Sequence, residues 1–201
     1  PTDSAPEAES PLPAPHASGG RRPMPELLAE SPLDGLDIAR GAARLAARPV
    51  VPLWLYAPYP GSEGAASAAL ERMLGVALPP PGATVRAGDI EARWAGRAQA
   101  LLVGPADREW APGPELREHG ATTDLSDVLA RMLLSGTAAP DVLARLVPLD
   151  LRPSRFPQGA TARSMLGHMT AQLTATADGI EIMAMRAFAR AAVRDLATAE
   201  A

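Results

Sequence analysis

Two segments of this 201-residue chain resemble each other closely enough to predict an internal duplication, which restricts the fold to two similar units packed together. When residues 68–86 are aligned with residues 141–163, a leucine and an arginine two positions later coincide in both. After a short insertion, Gly-Ala-Thr-Val-Arg at 82–86 matches Gly-Ala-Thr-Ala-Arg at 159–163, and prolines precede both stretches. We therefore expect these stretches to occupy equivalent positions in two units.

The order of elements within each copy predicts an α+β fold. Each copy runs as a strand, a helix, a proline-rich turn, a glycine and then antiparallel strands, which is the order of a split β-α-β half of ferredoxin-like type. We predict two packed ferredoxin-like halves with antiparallel sheets and helices on one face. The first half spans residues 33–120 and the second residues 121–201.

Proline dominates the N-terminal stretch, where it recurs throughout residues 1–32 among alanine, serine, glutamate and glycine. Such a segment buries too little apolar surface to offset the entropy lost on ordering. We predict that it precedes the folded body as a disordered or extended arm. Two roles stay open, because it could be a tail without consequence or an arm that docks along a partner subunit.

Apolar periodicity predicts the elements of the remaining chain. Predicted helices occupy residues 34–48, 67–75, 138–146 and 188–199. Predicted strands occupy residues 51–56, 83–86, 90–94, 98–103, 128–134, 160–165, 169–176 and 180–185. A loop rich in proline and glycine is expected over residues 104–120.

Composition excludes several classes of chemistry. The chain has no cysteine, and all 19 of its basic residues are arginine. Disulfides, thiolate metal sites, cysteine nucleophiles, Schiff-base chemistry and the lysine of a phosphate-binding loop are therefore excluded. A net charge of −4 and an aromatic content of 3% argue against a nucleic-acid partner. No Gly-x-Gly-x-x-Gly follows a predicted strand, so a dinucleotide fold is not expected either.

Neither the histidines nor the carboxylates form a catalytic or metal-binding pattern. His16, His119 and His168 are far apart in sequence, and His168 falls in a predicted turn between two strands. Asp124 and Asp150 stand at strand or loop boundaries, where turn hydrogen bonding is the ordinary role. We therefore assign no catalytic, cofactor-binding or metal-binding residue to this chain.

A group of arginines around one proline-rich turn is the candidate subunit interface. Arg152, Arg155 and Arg163 gather there with Phe156. The planar fork of arginine suits carboxylate contacts across an interface. A solvated loop is the alternative interpretation of the same residues.

No apolar run approaches the roughly 18 to 20 residues that span a bilayer, and the N-terminus lacks the pattern of a signal peptide. We expect a cytoplasmic protein without a membrane partner.

Several short motifs stand in the C-terminal half of the chain. The sequence Asp-Leu-Ser-Asp at 124–127 is followed by Leu-Ser-Gly at 134–136 and by the segments 142–151 and 156–163. Together these motifs resemble the gamma subunit of heterotetrameric sarcosine oxidase, and residues 74–79 and 94–103 fit the same family more loosely. That family in turn resembles the folate-binding aminomethyltransferase, or T-protein, of the glycine cleavage system.

The resemblance implies a non-catalytic subunit of a four-chain flavoenzyme. Such an enzyme oxidatively demethylates sarcosine or a related N-methyl amino acid, with tetrahydrofolate as the one-carbon acceptor. It implies that FAD, FMN, NAD, tetrahydrofolate and zinc belong to the other subunits and that none is bound by this chain. The implied partners are the alpha, beta and delta subunits, with the large alpha subunit in direct contact.

Two other functions stay open from the sequence. One is a stand-alone folate-dependent aminomethyltransferase-like protein, and the other is a small adaptor that binds a peptide as an added strand.

Overall fold

The fold consists of two units that share one order of elements, as the sequence repeat predicts. The computed structural model describes residues 30–199, so nearly all of the predicted arm at 1–32 lies outside the described residues. The strands are β1 (Asp37–Arg40), β2 (Ala43–Ala47), β3 (Leu53–Pro58), β4 (Thr84–Ala87), β5 (Ile90–Gly96), β6 (Gln99–Val103), β7 (Gly120–Asp124), β8 (Leu129–Ser135), β9 (Thr161–Leu166), β10 (Met169–Ala175) and β11 (Ile180–Met185). The helices are α1 (Glu63–Leu74), α2 (Ala139–Ala144) and α3 (Ala189–Ala199), with 3-10 turns at Pro114–Glu118 and Arg186–Phe188.

Each unit is a strand, a helix and three further strands. In the first unit, β3 and α1 are followed by β4, β5 and β6, and the strands lie in the spatial order β4-β5-β6-β3. In the second unit, β8 and α2 are followed by β9, β10 and β11, in the order β9-β10-β11-β8. All pairings are antiparallel. The α+β class and the internal duplication are thereby confirmed.

Each sheet gains one strand from the segment of chain that precedes the other unit. β2, which precedes the first unit in the chain, pairs with β8 of the second unit, with Leu45 opposite Leu134. β7, which precedes the second unit, pairs with β3 of the first, with Tyr56 opposite Thr122. β1 pairs with β2 and completes a six-stranded sheet, whereas the other sheet has five strands. We call the five-stranded sheet the first sheet and the six-stranded sheet the second sheet.

Because of this exchange, the sheets do not divide the chain at residue 120. The hairpin β1–β2 lies within residues 33–120 but belongs to the second sheet, and β7 begins at Gly120 but belongs to the first. The division into halves at 33–120 and 121–201 as separable units stays a prediction.

Apolar residues form three layers of core around the two sheets. Helix α1 packs on the first sheet through Ala66, Ala69 and Leu70. Helices α2 and α3 pack on the outer face of the second sheet. Between the sheets, Met183 of β11 packs among apolar residues of the first sheet. The order of layers is therefore helix, sheet, sheet, helices, with one face of each sheet turned toward the other sheet.

The predicted helix at 34–48 is wrong, because this segment forms the β1–β2 hairpin. Its alanines fit helical spacing, but the same residues also alternate. Ala43 and Leu45 are buried while Arg44 between them is exposed. Gly41, with φ of +53°, supplies the turn that lets the chain reverse. Strand pairing with β8 buries Leu45 completely, which a short alanine-rich helix would not do.

Most of the other predicted elements are confirmed with shifted ends. The eight predicted strands correspond to β3, β4, β5, β6, β8, β9, β10 and β11. The helix predicted at 67–75 begins earlier, at Glu63, and the helix predicted at 138–146 is shortened to α2. The helix predicted at 188–199 begins as a 3-10 turn and continues as α3. Strand β7 was not predicted, because its sequence Gly-Ala-Thr-Thr-Asp has no apolar alternation.

Within residues 30–199, no helix is both long and apolar enough to cross a bilayer.

The strand exchange predicts a position that is sensitive to substitution where the start of β2 meets the end of β8. Gly136 has φ of +96°, and a Cβ atom there would overlap the carbonyl oxygen of Ala42. We expect Gly136→Ala to destabilise the protein by strain and overlap together. Gly61→Ala is the control, because Gly61 has φ of +84° but no heavy atom within 4 Å of the added Cβ.

In urea denaturation, Gly61→Ala should lower the free energy of unfolding by about 1–2 kcal/mol through φ strain alone. Gly136→Ala should lose about a further 1–3 kcal/mol, because backbone must move to admit the methyl group. Equal losses in the two variants would show that the β2–β8 junction is not tightly packed.

Candidate functional site

The two copies of the Gly-Ala-Thr sequence meet and pair with each other. The Thr84 backbone N–H donates to the Gly159 carbonyl at 2.9 Å, and the Thr161 N–H donates to the Gly82 carbonyl at 2.8 Å. Ala83 and Ala160 form an antiparallel bridge between the same stretches. This reciprocal pairing places equivalent residues of the two units about a local two-fold axis. We call this pairing of residues 82–84 with residues 159–161 the crossing. Next to it, the facing surfaces of the two sheets come together.

A buried ion pair joins the sheets close to this crossing. Arg93 lies on β5 of the first sheet and Glu181 on β11 of the second, and their side chains are 2% and 1% exposed. The Arg93 Nη2 atom donates to Glu181 Oε2 at 2.8 Å. Nη1 of Arg93 also lies 3.4 Å from the Thr174 hydroxyl. Arg93 therefore contacts the second sheet through two of its nitrogens.

Further charged residues extend the pair into a network. Arg93 Nε donates to Glu91 Oε2 at 2.8 Å, and Arg131 Nε donates to the second oxygen of Glu181, Oε1, at 2.6 Å. Arg131 also donates to the Pro49 carbonyl at 2.9 Å. Arg86 forms an ion pair with Glu91 at the exposed end of the network. The network therefore alternates in charge from the interior to the surface.

The network holds both buried members in their charged forms. Burial alone would lower the pKa of the Arg93 guanidinium, but the charges of Glu181 and Glu91 outweigh it and raise that pKa above its ordinary value. Burial alone would raise the pKa of Glu181, but Arg93 and Arg131 outweigh it and lower that pKa below its ordinary value. Neither group is therefore suited to exchange a proton near neutral pH.

A polar cavity of about 530 Å³ opens beside the network. It lies between the crossing, the β10–β11 turn and the end of β2. Its charged and polar lining includes Arg48, Thr84, Arg86, Glu91, Arg131 and Asp178. Two buried polar atoms of this lining, Arg48 Nε and Thr84 Oγ1, have no hydrogen-bond partner among residues 30–199.

The residues of the predicted interface lie elsewhere. Arg152 and Arg155 are exposed in the loop before β9, and Arg163 is exposed on β9, the edge strand of the second sheet. Phe156 is half-buried and packs against the core of the second sheet. Arg152 makes a two-pronged pair with Asp150, at 2.8 and 2.5 Å, and the hydrogen bond to Arg152 lowers the pKa of Asp150 to about 2. Their role at an interface stays a prediction.

The other polar residues singled out by sequence have structural positions. Asp124 accepts hydrogen bonds from the Ser126 N–H at 2.9 Å and from its hydroxyl at 2.6 Å, which is the expected turn role. His168 is exposed in the β9–β10 turn, whereas His16 lies outside the described residues. Within residues 30–199, no group of three or more histidine, cysteine, aspartate or glutamate side chains could hold a metal ion.

Sequence reasoning missed the buried network. The available signal was a charged residue in the middle of a mostly apolar strand, which is typical of a strand that is buried on both faces. Glu181 stands between Ile180 and Ile182 on β11, and Arg93 stands between Ala92 and Trp94 on β5. The pairing itself joins residues 88 positions apart, which periodicity within one strand does not reveal.

Solved structures share this fold. The chain is similar to a chain of heterotetrameric sarcosine oxidase from Corynebacterium sp. U-96, solved in complex with pyrrole 2-carboxylate. The TM-score is 0.71 at 24% identity, covering 87% of this chain and 95% of that one. It is also similar to the glycine cleavage system aminomethyltransferase T from Bartonella henselae. There the TM-score is 0.54 at 18% identity, covering 78% of this chain but only 46% of that one.

These likenesses define the class as an α+β fold shared by a sarcosine oxidase chain and an aminomethyltransferase. Residues 60–201 match the sarcosine oxidase, gamma subunit family. The chain therefore belongs to that family, and the resemblance noted in its sequence is confirmed. A search among curated proteins finds no match.

The buried network predicts a large loss of stability when one charge is removed. We expect Glu181→Gln to lower the free energy of unfolding by about 3–5 kcal/mol, because Arg93 and Arg131 are then left without their shared carboxylate. Asp178→Asn is the control, since Asp178 lies on the neighbouring turn and its side chain is 67% exposed. Urea denaturation should show a change within about 0.5 kcal/mol for the control.

The same variant predicts a specific dependence on pH. The folded-state pKa of Glu181 is below its ordinary 4.5, so the unfolded chain binds its proton first as the pH falls. The stabilisation by Glu181 is thus complete above pH 4.5 and is lost as the pH falls through the folded-state pKa. The gap in unfolding free energy between wild type and Glu181→Gln should narrow over that range. A gap independent of pH would contradict a charged Glu181.

Proposed function

We propose that this chain acts as an assembly subunit of a heterotetrameric enzyme of the sarcosine oxidase type and has no active site of its own. The observation that carries the proposal is the match of residues 60–201 to the gamma subunit family. The buried network supports it, because its arginines and glutamates are paired with one another and held in their charged forms. We infer a structural role for these groups.

The proposed complex oxidatively demethylates sarcosine or a related N-methyl amino acid and passes the one-carbon unit to tetrahydrofolate. Its FAD, FMN, NAD, tetrahydrofolate and zinc would be held by the alpha, beta and delta subunits. A cytoplasmic location is part of the same proposal. Fold similarity to a sarcosine oxidase chain and to an aminomethyltransferase is consistent with this chemistry but extends to the fold alone.

A stand-alone aminomethyltransferase is the less favoured alternative. The chain spans 46% of the length of the aminomethyltransferase that it resembles. A peptide-binding adaptor would use an exposed sheet edge such as β9. Family membership favours the subunit over both.

We propose that the loop before β9 and the edge of β9 contact the large alpha subunit. Arg155 and Arg163 are exposed there, and Arg152 and Phe156 border them. Phe156 anchors the loop to the core of the second sheet, so the exposed guanidinium groups extend from a fixed support. Arginine in such a position suits pairing with carboxylates of a partner.

This interface predicts the effect of reversing charge. The double variant Arg155→Glu, Arg163→Glu should co-purify with the alpha subunit at least about tenfold less than wild type, because the new carboxylates would repel the partner carboxylates with which these arginines are proposed to pair. Arg117→Glu is the control, since Arg117 is exposed on the distant 3-10 turn at Pro114–Glu118. Melting temperatures of all variants should match wild type. Undiminished co-purification of the double variant would show that the interface lies elsewhere.

Exposed apolar side chains predict self-association of the isolated chain. Val128 and Met185 lie at the same end of the second sheet, where the Arg186 N–H donates to the Val128 carbonyl, and they are 40% and 47% exposed; Phe188 follows at 50%. Large apolar side chains grouped on a surface promote association when no partner covers them. Sedimentation velocity at micromolar concentration should show oligomers for the chain alone and one defined species after co-expression with the alpha subunit.

The variant Val128→Thr, Met185→Gln should reduce this self-association, and Leu149→Gln, at a separate exposed position, should not. A monodisperse monomer that does not bind the alpha subunit would rule out the assembly role.

A further inference from the structure

We propose that the polar cavity beside the crossing binds a small carboxylate anion, to which Arg48 and Thr84 donate hydrogen bonds. The inference concerns this chain's own residues and does not depend on the assembly role. It rests on two buried donors without partners, on the charge of the cavity lining, and on the comparison of the two repeats.

The repeats provide an internal comparison for Thr84. Its equivalent in the second unit is Thr161, since both follow the paired Gly-Ala sequences. The Thr161 hydroxyl is bonded to the Leu173 carbonyl at 3.0 Å, to Thr174 at 2.9 Å and to the Gln172 amide at 2.6 Å. The Thr84 hydroxyl is buried at the cavity without a partner among the described residues. A buried hydroxyl without a partner is costly, by about 1–3 kcal/mol, so a ligand that accepts from it is favoured.

Arg48 presents the second donor to the same cavity. Its Nε atom is buried without a partner among residues 30–199, although its backbone N–H is bonded to the Arg131 carbonyl at 3.0 Å. Its nearest carboxylate is Asp178, at 3.7 Å from Nη2, which is too long for a hydrogen bond. The Nε edge of the guanidinium therefore has no acceptor among the described residues. A carboxylate matches that edge with two parallel hydrogen bonds.

The charge of the lining selects a monoanion. Four arginines and three carboxylates line the cavity, which leaves one positive charge unbalanced: Arg48, Arg86, Arg93 and Arg131 against Glu91, Asp178 and Glu181. Arg86, Arg93 and Arg131 share the two carboxylates of Glu91 and Glu181, and Arg48 faces Asp178, so the group of three arginines leaves one positive charge of the lining unbalanced. A phosphate dianion would meet the neighbouring carboxylates with a second negative charge. A carboxylate balances the cavity without that repulsion.

Water could satisfy the two donors but would leave the positive charge uncompensated. The cavity of about 530 Å³ has room for a small carboxylate together with several waters. The expected complex is therefore an anion held by Arg48 and Thr84 with water filling the remaining space.

The test uses the full chain with ¹³C-labelled acetate as the probe, at constant ionic strength maintained with chloride. Binding should broaden the acetate carbon resonance in a saturable way and raise the melting temperature of the protein as acetate replaces chloride. Excess unlabelled acetate should remove the broadening, whereas phosphate at the same ionic strength should compete at least tenfold less well.

Three variants locate the site. Arg48→Met and Thr84→Val should each weaken acetate binding at least tenfold, and Thr84→Val keeps the shape of the side chain if Arg48→Met proves unstable. Arg117→Met, on the exposed 3-10 turn, should bind as wild type does.

Equal effects of acetate and chloride on the wild-type protein would overturn the proposal. So would saturable binding that Thr84→Val leaves unchanged, because the anion would then lie elsewhere. Stronger competition by phosphate than by acetate would show that the charge argument is wrong.

Discussion

The reciprocal pairing of the two Gly-Ala-Thr stretches is the constraint on which the rest of the structure depends. Two hydrogen bonds, Thr84 N–H to Gly159 and Thr161 N–H to Gly82, join equivalent positions of the units. Gly82 and Gly159 have φ of +76° and +85°, so the chain can turn into the crossing where other residues would be strained. Strand exchange then ties the units at their opposite edges through β2 and β7. The two sheets are therefore joined at both edges, which restricts their facing surfaces to one relative arrangement.

The facing surfaces depart from the symmetry of the repeat, and this departure specifies how they pack. Arg93 pairs across the strands with Thr84, and Thr174 pairs with Thr161, so Arg93 and Thr174 are equivalent. By the same registers, Glu181 is equivalent to Leu101. One unit thus supplies a buried cation and the other a buried anion. Such a pair adds little net stability over apolar packing, but it strongly penalises any arrangement that separates the charges. We infer that it selects the correct pairing of two similar sheets.

The sequence predicts what is local and repeated, and it misses what depends on distant partners. The Gly-Ala-Thr repeat predicted the equivalence of the units because the same local geometry requires the same residues. The sequence predicts a helix over 34–48 because its alanines fit the helical period as well as the alternation of a strand. Only the pairing with β8 decides between helix and strand. β7 has no apolar alternation and is a strand because β3 offers it an edge. The cavity likewise combines Arg48, Thr84 and Asp178, which lie far apart in the chain.

The energetics of the buried charges bear on whether this fold supplies chemistry or support. A general acid or base must change its protonation near the working pH, which requires opposing influences that bring its pKa toward neutrality. Around Arg93 and Glu181 the charges reinforce each other, so the arginine pKa is raised and the glutamate pKa is lowered. Each group stabilises the charged form of the other and shifts the pKa of the other further from neutrality, so neither is suited to act as a general acid or base. An arrangement of this kind holds the two sheets rigidly against each other, which supports the assembly role proposed above.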